Sequence, residues 1–253
     1  MSATVPGAGL ELRIAAVSHR GLVRAANEDV VGVDGWVLVG HEAAPLEIRV
    51  RPGERGAVLA IADGMGGHRG GADAARVALT ALFAAEGGDV AAVVASAAEA
   101  VRTRAAASPD LAGMGTTLVG VRVLPDGAAE FFNVGDSRAY RALEGYLAQV
   151  SVDDRPVPAL PADRGVVTQH LGGDRVVALD PHVLHVPLDA GDRVLLCSDG
   201  LHDMVDDGAI ADCLGRPLTD AAQALLDAAL DAGGEDNVSI VVADLVPATG
   251  GVR

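Results

Sequence analysis

The sequence predicts an α+β fold, in which strands pair into antiparallel sheets and helices pack on them as separate layers. Predicted strands and helices come in blocks instead of alternating one by one, which disfavours a doubly wound parallel sheet. Several successive strands are joined by links of only a few residues, and such links suit antiparallel neighbours. At 253 residues the chain can bury a core of its own. Because its motifs reach both ends, we expect a single domain over residues 1–253, with an ordered core of about 10–246 and short loose tails.

The N-terminal block is predicted to consist of strands. Residues 10–17 alternate with an apolar bias and predict a first strand, and residues 30–39 predict a strand pair folded around the Asp34 turn. Residues 41–55 are polar and contain two prolines, so they predict an extra hairpin or a surface loop, to which we assign no chemistry. The apolar run 57–62 predicts a buried strand.

Two helices are predicted next, at residues 72–85 and 89–107. Both segments are rich in alanine and place apolar residues at helical spacing, as amphipathic helices do. Gly87 and Gly88 separate them. The two helices are therefore expected to run antiparallel and to pack their apolar stripes on a sheet.

A second group of strands occupies the middle of the chain, interrupted by a loop at 152–165 that is rich in proline and charge. Short links indicate an antiparallel meander in its first part. The strands predicted after the helix pair are 115–123, 128–134, 139–143, 166–177, 182–187, 194–197 and 238–245. Two further helices are predicted before the last strand, at 206–214 and 221–232, the second capped by Thr219 and Asp220.

Three aspartates stand at the ends of apolar strands. Asp63 and Asp199 each follow a strand and precede a glycine, and Asp236 comes just before the final strand. Any one of them is typical of an ordinary turn, but three alike suggest one shared site. Carboxylates fixed at strand ends, with neighbouring backbone carbonyls, supply the oxygen ligands that Mg²⁺ and Mn²⁺ prefer. A divalent-cation site is therefore predicted where these strand ends meet.

Further motifs accompany these aspartates in order along nearly the whole chain. The set comprises Ser18 to Arg24 with Asn27-Glu28-Asp29, Ala62 to His68, Gly115-Thr116-Thr117, Gly135-Asp136-Ser137-Arg138, Leu196 to Leu201 with Asp203, and Glu235-Asp236-Asn237. This ordered set resembles the bacterial metal-dependent protein serine/threonine phosphatases of the protein phosphatase 2C (PPM) family. The resemblance sharpens the predicted fold to a four-layer α/β/β/α sandwich, in which two packed antiparallel β-sheets are flanked by helix pairs.

The resemblance also implies a function, the hydrolysis of phosphoserine and phosphothreonine on proteins by a metal-activated water at a binuclear Mn²⁺ or Mg²⁺ site. The implied ligands of the two ions are Glu28, Asp29, Asp63, Gly64, Asp199 and Asp236. Asp63 is expected to bridge the ions and thereby to be catalytic. Glu28 and Asp29 are expected to act on the second ion, partly through water.

Two further roles follow from the same resemblance. Arg24 is expected to be catalytic by gripping the phosphate, since a guanidinium matches two phosphate oxygens in one plane; taken alone it indicates a surface salt bridge. Asp136 and Asp203 match positions that hold a possible third, weaker ion. The alternative is that both are solvated turn aspartates.

Some positions depart from the family pattern. Met65 stands where animal relatives carry a histidine that is proposed to protonate the leaving oxygen, so the acid must be a metal-bound water or another group. His68 is one candidate, and a solvent-exposed turn histidine is the alternative. His19 stands where bacterial relatives usually have aspartate.

Bacterial relatives also have a helical flap beside the site, but the corresponding residues 151–167 here are short and hold three prolines. This predicts an open site and a weakly bound third ion. The alternative is that residues 41–55 serve as the lid.

Composition limits the partners. Nineteen basic against thirty-five acidic side chains give a net charge of −16, which argues against a nucleic acid or an anionic membrane as the main partner. The N-terminus lacks a basic flank and an apolar segment, and no stretch reaches the apolar length that crosses a bilayer. Cys197 and Cys213 are isolated, so no disulfide framework is implied. We therefore expect a cytoplasmic monomer.

Two other functions compete with this interpretation. A pseudophosphatase would bind a phosphorylated partner without turnover, but degenerate family members typically lose the residues that are intact here, such as Arg24 and Asp63. A two-metal phosphodiesterase or nuclease is disfavoured by the net acidity and the lack of basic patches with aromatic residues. The expected partners are therefore protein substrates phosphorylated by a serine/threonine kinase.

Overall fold

The fold consists of two six-stranded sheets packed face to face, with helices on both outer faces. The computed structural model describes residues 9–40, 44–66, 70–85, 87–143, 145–156, 165–173 and 179–248. All strand pairs in the two large sheets are antiparallel within these residues. The predicted four-layer α/β/β/α sandwich is confirmed.

The two large sheets and a small third one are built as follows. The first sheet contains, in spatial order, β11 (Tyr146–Gln149), β10 (Arg138–Leu143), β14 (Arg193–Cys197), β15 (Val238–Pro247), β1 (Leu10–His19) and β4 (Leu46–Val50). The second contains β13 (His182–Pro187), β9 (Ala128–Val134), β8 (Leu118–Val123), β5 (Ala57–Ala62), β2 (Val30–Val33) and β3 (Trp36–Val39). The third joins β12 (Leu171–Gly172), β7 (Gly115–Thr116) and β6 (Gly64–Met65).

Helices cover the outer face of each large sheet. They are α1 (Gly70–Ala84), α2 (Val90–Ala106), α3 (Asp199–His202), α4 (Asp207–Leu214) and α5 (Leu218–Asp231), with a 3₁₀ turn at Pro109–Leu111. α1 and α2 pack on the second sheet, whereas α3, α4 and α5 pack on the first. Of the helices in the described ranges, none is both long and apolar enough to span a membrane.

The burial of β5 shows why its sequence is apolar throughout. Leu59 and Ile61 face the core between the two sheets, and Ala60 and Ala62 face α1 and α2. A strand covered on both faces has no polar side, so it reads as a continuous apolar run. β5 therefore lies in the centre of the sandwich and carries the residue after it, Asp63, to the rim.

Most predicted elements are confirmed, and β5, β9 and β13 have the predicted bounds. The predicted meander is wrong at its last step, because β9 and β10 belong to different sheets and the chain crosses between them at Gly135. Gly135 has a φ of 101°, a left-handed conformation that glycine adopts without strain. Asp136 thus lies at the corner between the two sheets.

Other elements differ from prediction in detail. Part of 41–55 forms β4, which pairs with β1 at the sheet edge instead of making a separate hairpin or loop. α5 begins at Leu218, so Thr219 and Asp220 lie inside its first turn and do not cap it. Of the extended segment predicted at 166–177, the described part contains only β12 as strand, and 174–178 lie outside the described residues. β11 and α3 were not predicted.

Candidate active site

The three strand-end aspartates meet in one cleft, as the sequence predicts. β14 and β15 are antiparallel neighbours, so Asp199 after β14 lies beside Asp236 before β15. β5 of the other sheet ends at the same rim with Asp63. The cleft has a volume of about 370 Å³. Its charged lining residues are Arg24, Glu28, Asp63, Asp136, Asp199 and Asp236.

Asp63 is held by the threonines that follow Gly115. The Thr116 hydroxyl donates to the Asp63 carbonyl at 2.8 Å, and the Thr117 backbone N–H donates to the same oxygen at 2.9 Å. The Asp63 N–H donates to Thr117 Oγ1 at 3.2 Å. The next residue is glycine for a steric reason, since a Cβ on Gly64 would overlap the backbone of Gly71 at the start of α1. The backbone on both sides of the Asp63 carboxylate is therefore fixed.

Asp29 is fully buried beside the cleft and is held by the hydroxyl of Ser198. Ser198 Oγ donates to Asp29 Oδ2 at 2.8 Å and accepts from the Ser239 N–H at 2.9 Å. Asp29 Oδ1 is buried without a hydrogen-bond partner. Burial raises the pKa of the Asp29 carboxyl to about 6, although the hydrogen bond from Ser198 acts in the opposite direction.

The pKa values of Asp199 and Asp63 are raised as well. Asp199 Oδ1 is also buried without a partner. Burial, followed by repulsion from Asp136 and Asp236, raises the pKa of Asp199 to about 8. Burial, followed by the charges of Asp29 and Asp199, raises the pKa of Asp63 well above its usual range. The carboxylates thus oppose one another's ionisation in the absence of a counter-charge.

The donor set fits hard divalent cations. Carboxylate and carbonyl oxygens are the ligands that such ions prefer, and Asp29 Oδ1 and Asp199 Oδ1 are buried without a hydrogen-bond donor. Within the described ranges, no three acidic, histidine or cysteine side chains form a ready-made cation position. Asp236 is instead paired with an arginine. Binding of an ion would therefore require these side chains to draw together.

That arginine is Arg24, which lies at the mouth of the cleft on the bent segment between β1 and β2. Arg24 Nη2 donates to Asp236 Oδ2 at 2.5 Å. The Arg24 side chain is nevertheless 56% exposed, so its guanidinium can be reached from solvent. The backbone bends at residues 22–23 and 25–26, so the bend that the sequence predicts between Arg24 and Asp29 is present.

Asn237 holds this bend in place. Its Oδ1 accepts from the Glu28 N–H at 2.8 Å, and its Nδ2 donates to the carbonyls of Arg20 and Ala26, each at 2.9 Å. The Glu28 side chain is directed at α1, since a Cβ on Gly71 would overlap Glu28 Oε2. A carboxylate is favoured there by the partial positive charge of the helix N-terminus.

Asp136 and Asp203 are brought together, but around an arginine. Arg155 Nε donates to Asp136 Oδ2 at 2.8 Å, and Nη1 and Nη2 donate to the two Asp203 oxygens at 2.9 and 3.1 Å. Burial raises the pKa of Asp203, but the neighbouring His202 ring and the hydrogen bonds from Arg155 outweigh it and hold that pKa below its usual range. Asp136 is only 2% exposed, so it is not a solvated turn residue.

The two histidines noted in the sequence, His19 and His68, differ in what the structure describes of them. His19 Nδ1 accepts from the Gly21 N–H at 2.9 Å and so stabilises the turn after β1. His68 lies outside the described residues, and Met65 lines the cleft.

The contribution of Arg155 was not predicted. Its only sequence signal is the charged triplet 153–155 in a proline-rich loop.

Comparison with known proteins agrees with the motifs. Residues 47–232 match the family model described as protein phosphatase 2C. The chain is 39% identical to the serine/threonine protein phosphatase PstP of Mycobacterium tuberculosis over 94% of its own length, and it spans about half of that relative, 46%. It is 30% identical to the serine/threonine phosphatase stp of Listeria monocytogenes, over 90% of this chain and 93% of that relative.

Solved structures give the same result. The crystal structure of the PstP catalytic domain in complex with two manganese ions matches with a TM-score of 0.76 and 36% identity, covering 94% of this chain and 99% of that one. The fold, the ordered motifs and the family match over most of the sequence therefore agree. On this evidence the chain belongs to the protein phosphatase 2C family.

Proposed function

We propose that this protein releases phosphate from phosphoserine and phosphothreonine in proteins, at a site that holds two Mn²⁺ or Mg²⁺ ions. The observation that carries the proposal is the pair of buried carboxylate oxygens without a partner, Asp29 Oδ1 and Asp199 Oδ1, within a cluster of acidic side chains. Buried anionic oxygens are costly unless a positive group compensates them. The family relatives support the proposal, since PstP and stp are named serine/threonine phosphatases and a PstP structure contains two manganese ions.

The proposed ligands follow the family assignment. They are Asp63 as the bridge, the Gly64 carbonyl, Asp199 and Asp236, with Glu28 and Asp29 acting on the second ion partly through water. When bound, the cations would neutralise phosphate oxygens and lower the pKa of the attacking water. The Asp63 backbone is already fixed by Thr116 and Thr117, so only the Asp63 side chain would have to move when an ion binds.

Arg24 is proposed to bind the substrate phosphate. Its guanidinium is exposed at the mouth of the cleft and holds one oxygen of Asp236. If Asp236 turns towards a cation, it releases Arg24, whose planar fork can then donate to two phosphate oxygens. The ion pair between Arg24 and Asp236 would therefore couple cation binding to the availability of Arg24 for the substrate phosphate.

The proposed substrates are proteins phosphorylated by a serine/threonine kinase, and the protein is proposed to act as a cytoplasmic monomer. A net charge of −16 disfavours polyanionic partners such as nucleic acids. The cleft mouth is partly formed by Gly165 and Val167, while residues 157–164 of the proline-rich segment lie outside the described residues.

Three substrates distinguish this proposal from its alternatives. A phosphothreonine peptide, an aryl phosphate monoester and an aryl phosphodiester are each incubated with the protein in Mn²⁺ and in EDTA. Both monoesters should release phosphate in Mn²⁺ only, and the diester should react far more slowly. Tight binding of the phosphopeptide without phosphate release would instead indicate a pseudophosphatase, and preference for the diester would indicate a phosphodiesterase.

A further inference from the structure

Arg155 occupies the position between Asp136 and Asp203 that the family resemblance gave to a third cation. Its three donating nitrogens bind one oxygen of Asp136 and both oxygens of Asp203, at 2.8 to 3.1 Å. Its Nη2 also lies 3.8 Å from Asp199 Oδ2. The side chain is only 19% exposed. One guanidinium therefore contacts three carboxylates on one side of the cleft.

A network of hydrogen bonds fixes the segment that carries Arg155, residues 150–156, which we call the strap. Val152 exchanges two hydrogen bonds with the Asn133 side chain, at 2.6 and 3.1 Å. Arg138 donates to both oxygens of Asp153 at 2.7 to 3.0 Å. The strap is thus tied to β9 and β10 on either side of the corner that holds Asp136.

Asp154 is the central anchor of the strap. Its Oδ2 accepts from the Gly135 N–H at 2.8 Å, and its own N–H donates to the Gly135 carbonyl at 3.0 Å. Its Oδ1 is bound by Gln169 and His182, each at 2.9 Å. Because Asp154 is 7% exposed and bonded on both oxygens, the backbone next to Arg155 is anchored.

We propose that Arg155 is a built-in cation that replaces the third metal ion, so that this protein binds two ions where its motifs would allow three. This proposal rests on the proposed two-ion function. The two buried carboxylate oxygens without a partner in the described residues belong to Asp29 and Asp199, and neither belongs to Asp136 or Asp203. A third ion would have to displace three charge-assisted hydrogen bonds, which are stronger than neutral ones. Arg155 also places a permanent positive charge beside Asp199.

Counting bound Mn²⁺ tests this assignment without any activity measurement. Isothermal titration and equilibrium dialysis should give two ions for the wild type. Arg155→Met, which keeps length but removes the charge, should bind a third ion at least about tenfold more tightly than the wild type does. One charge-assisted hydrogen bond that no longer has to be displaced is worth roughly this factor in an equilibrium constant.

Two further variants show where the extra ion binds. Arg155→Met combined with Asp203→Asn should return the count to two, because the new site has lost a ligand. Arg141→Met serves as the matched control, since Arg141 on β10 forms an ion pair with the buried Asp192, away from the Asp136 and Asp203 pair. The Arg141→Met protein should bind two ions.

Mn²⁺-soaked crystals of the wild type provide a measurement that needs no variant to fold. The anomalous map should show no peak between Asp136 and Asp203. A peak there, or an Arg155→Met protein that still binds only two ions, would overturn the assignment of Arg155. A wild type that binds no Mn²⁺ at all would instead overturn the proposed function on which it rests.

Discussion

At the scale of single residues, Asp29 and Asp199 are the most informative. Each keeps one carboxylate oxygen buried without a partner, and such a group costs about 1–3 kcal/mol. In most folds a buried polar atom is bonded, so an unpaired one requires an explanation. Cation binding supplies that explanation, since it would bring positive charge to both oxygens at once.

Arg24 provides a residue-scale prediction. Arg24→Ala should lower kcat/KM for a phosphothreonine peptide by about 10²-fold, because it removes a planar phosphate ligand. The Kd for Mn²⁺ should stay the same or become tighter, since Asp236 loses the ion pair that competes for it. Steady-state kinetics and a Mn²⁺ titration measure the two quantities.

Arg24→Lys is the matched control for this prediction. It keeps the charge but not the planar fork, so kcat/KM should lie between the values for wild type and Arg24→Ala. Unchanged kinetics in Arg24→Ala would show that the residue only forms a salt bridge, and weakened Mn²⁺ binding would place it in the metal site.

The sequence was a good guide to Asp63, Asp199 and Asp236, because each stands next to an apolar strand whose end is easily recognised. It was a poor guide to Arg155. That side chain lies in a loop without periodicity, and its partners Asp136 and Asp203 are 19 and 48 residues away. No local pattern specifies contacts of this kind, which depend on how the two sheets are packed.

At the scale of elements, the corner between β9 and β10 does the most to build the site. It moves the chain from one sheet to the other at Gly135 and places Asp136 in the cleft. Strand bounds were predictable from apolar runs, but pairing partners were not, because a short link fits a hairpin and a sheet-to-sheet corner equally well. The same limit explains why β4 was predicted as a hairpin or loop rather than as a partner of β1.

The N-cap of α2 provides an element-scale prediction about stability. Asp89 accepts a hydrogen bond from the Ala92 N–H at 3.0 Å, so Asp89→Ala should destabilise the fold by about 1 kcal/mol. The Tm of Asp89→Ala should then be lower than that of the wild type by about 2–4 °C. Asp89→Ser, which can still cap the helix, should unfold close to the wild type, and neither variant should alter kcat/KM. A change in kinetics would mean that α2 is coupled to the cleft.

At the scale of the whole molecule, the acidic cleft should make stability depend on pH in the absence of metal. Folding raises the pKa of Asp29 and Asp199 from 3.8 to about 6 and about 8. Above about pH 4 the unfolded chain releases the protons of these two carboxyls, whereas the folded protein keeps them until the pH approaches the raised pKa values. The contribution of the two carboxyls to the free energy of unfolding is therefore fully present below about pH 4 and is lost as the pH rises to about 8.

Asp199→Asn tests this pH dependence, because it removes one titrating group. In EDTA, Tm of the variant minus Tm of the wild type should increase from pH 5 to pH 8, reaching a few degrees, since 1 kcal/mol corresponds to about 2–4 °C in a domain of this size. With Mn²⁺ the wild type should instead have the higher Tm, because the ion stabilises only the intact site. A difference that is flat across this pH range in EDTA would contradict the raised pKa of Asp199.

The central claim is that the aspartates of the cleft hold the cations that drive phosphate release. The most direct measurement is the rate of phosphate release from a phosphothreonine peptide as a function of free Mn²⁺, for the wild type, Asp199→Asn and Asp236→Asn, with Asp227→Asn on the exposed face of α5 as the control. We expect no release in EDTA, a saturable rise with Mn²⁺ in the wild type and the control, and a loss of about 10²-fold or more in each cleft variant at every concentration. A rate that persists in EDTA, or a cleft variant that keeps more than about a tenth of the wild-type kcat in excess Mn²⁺, would contradict the account.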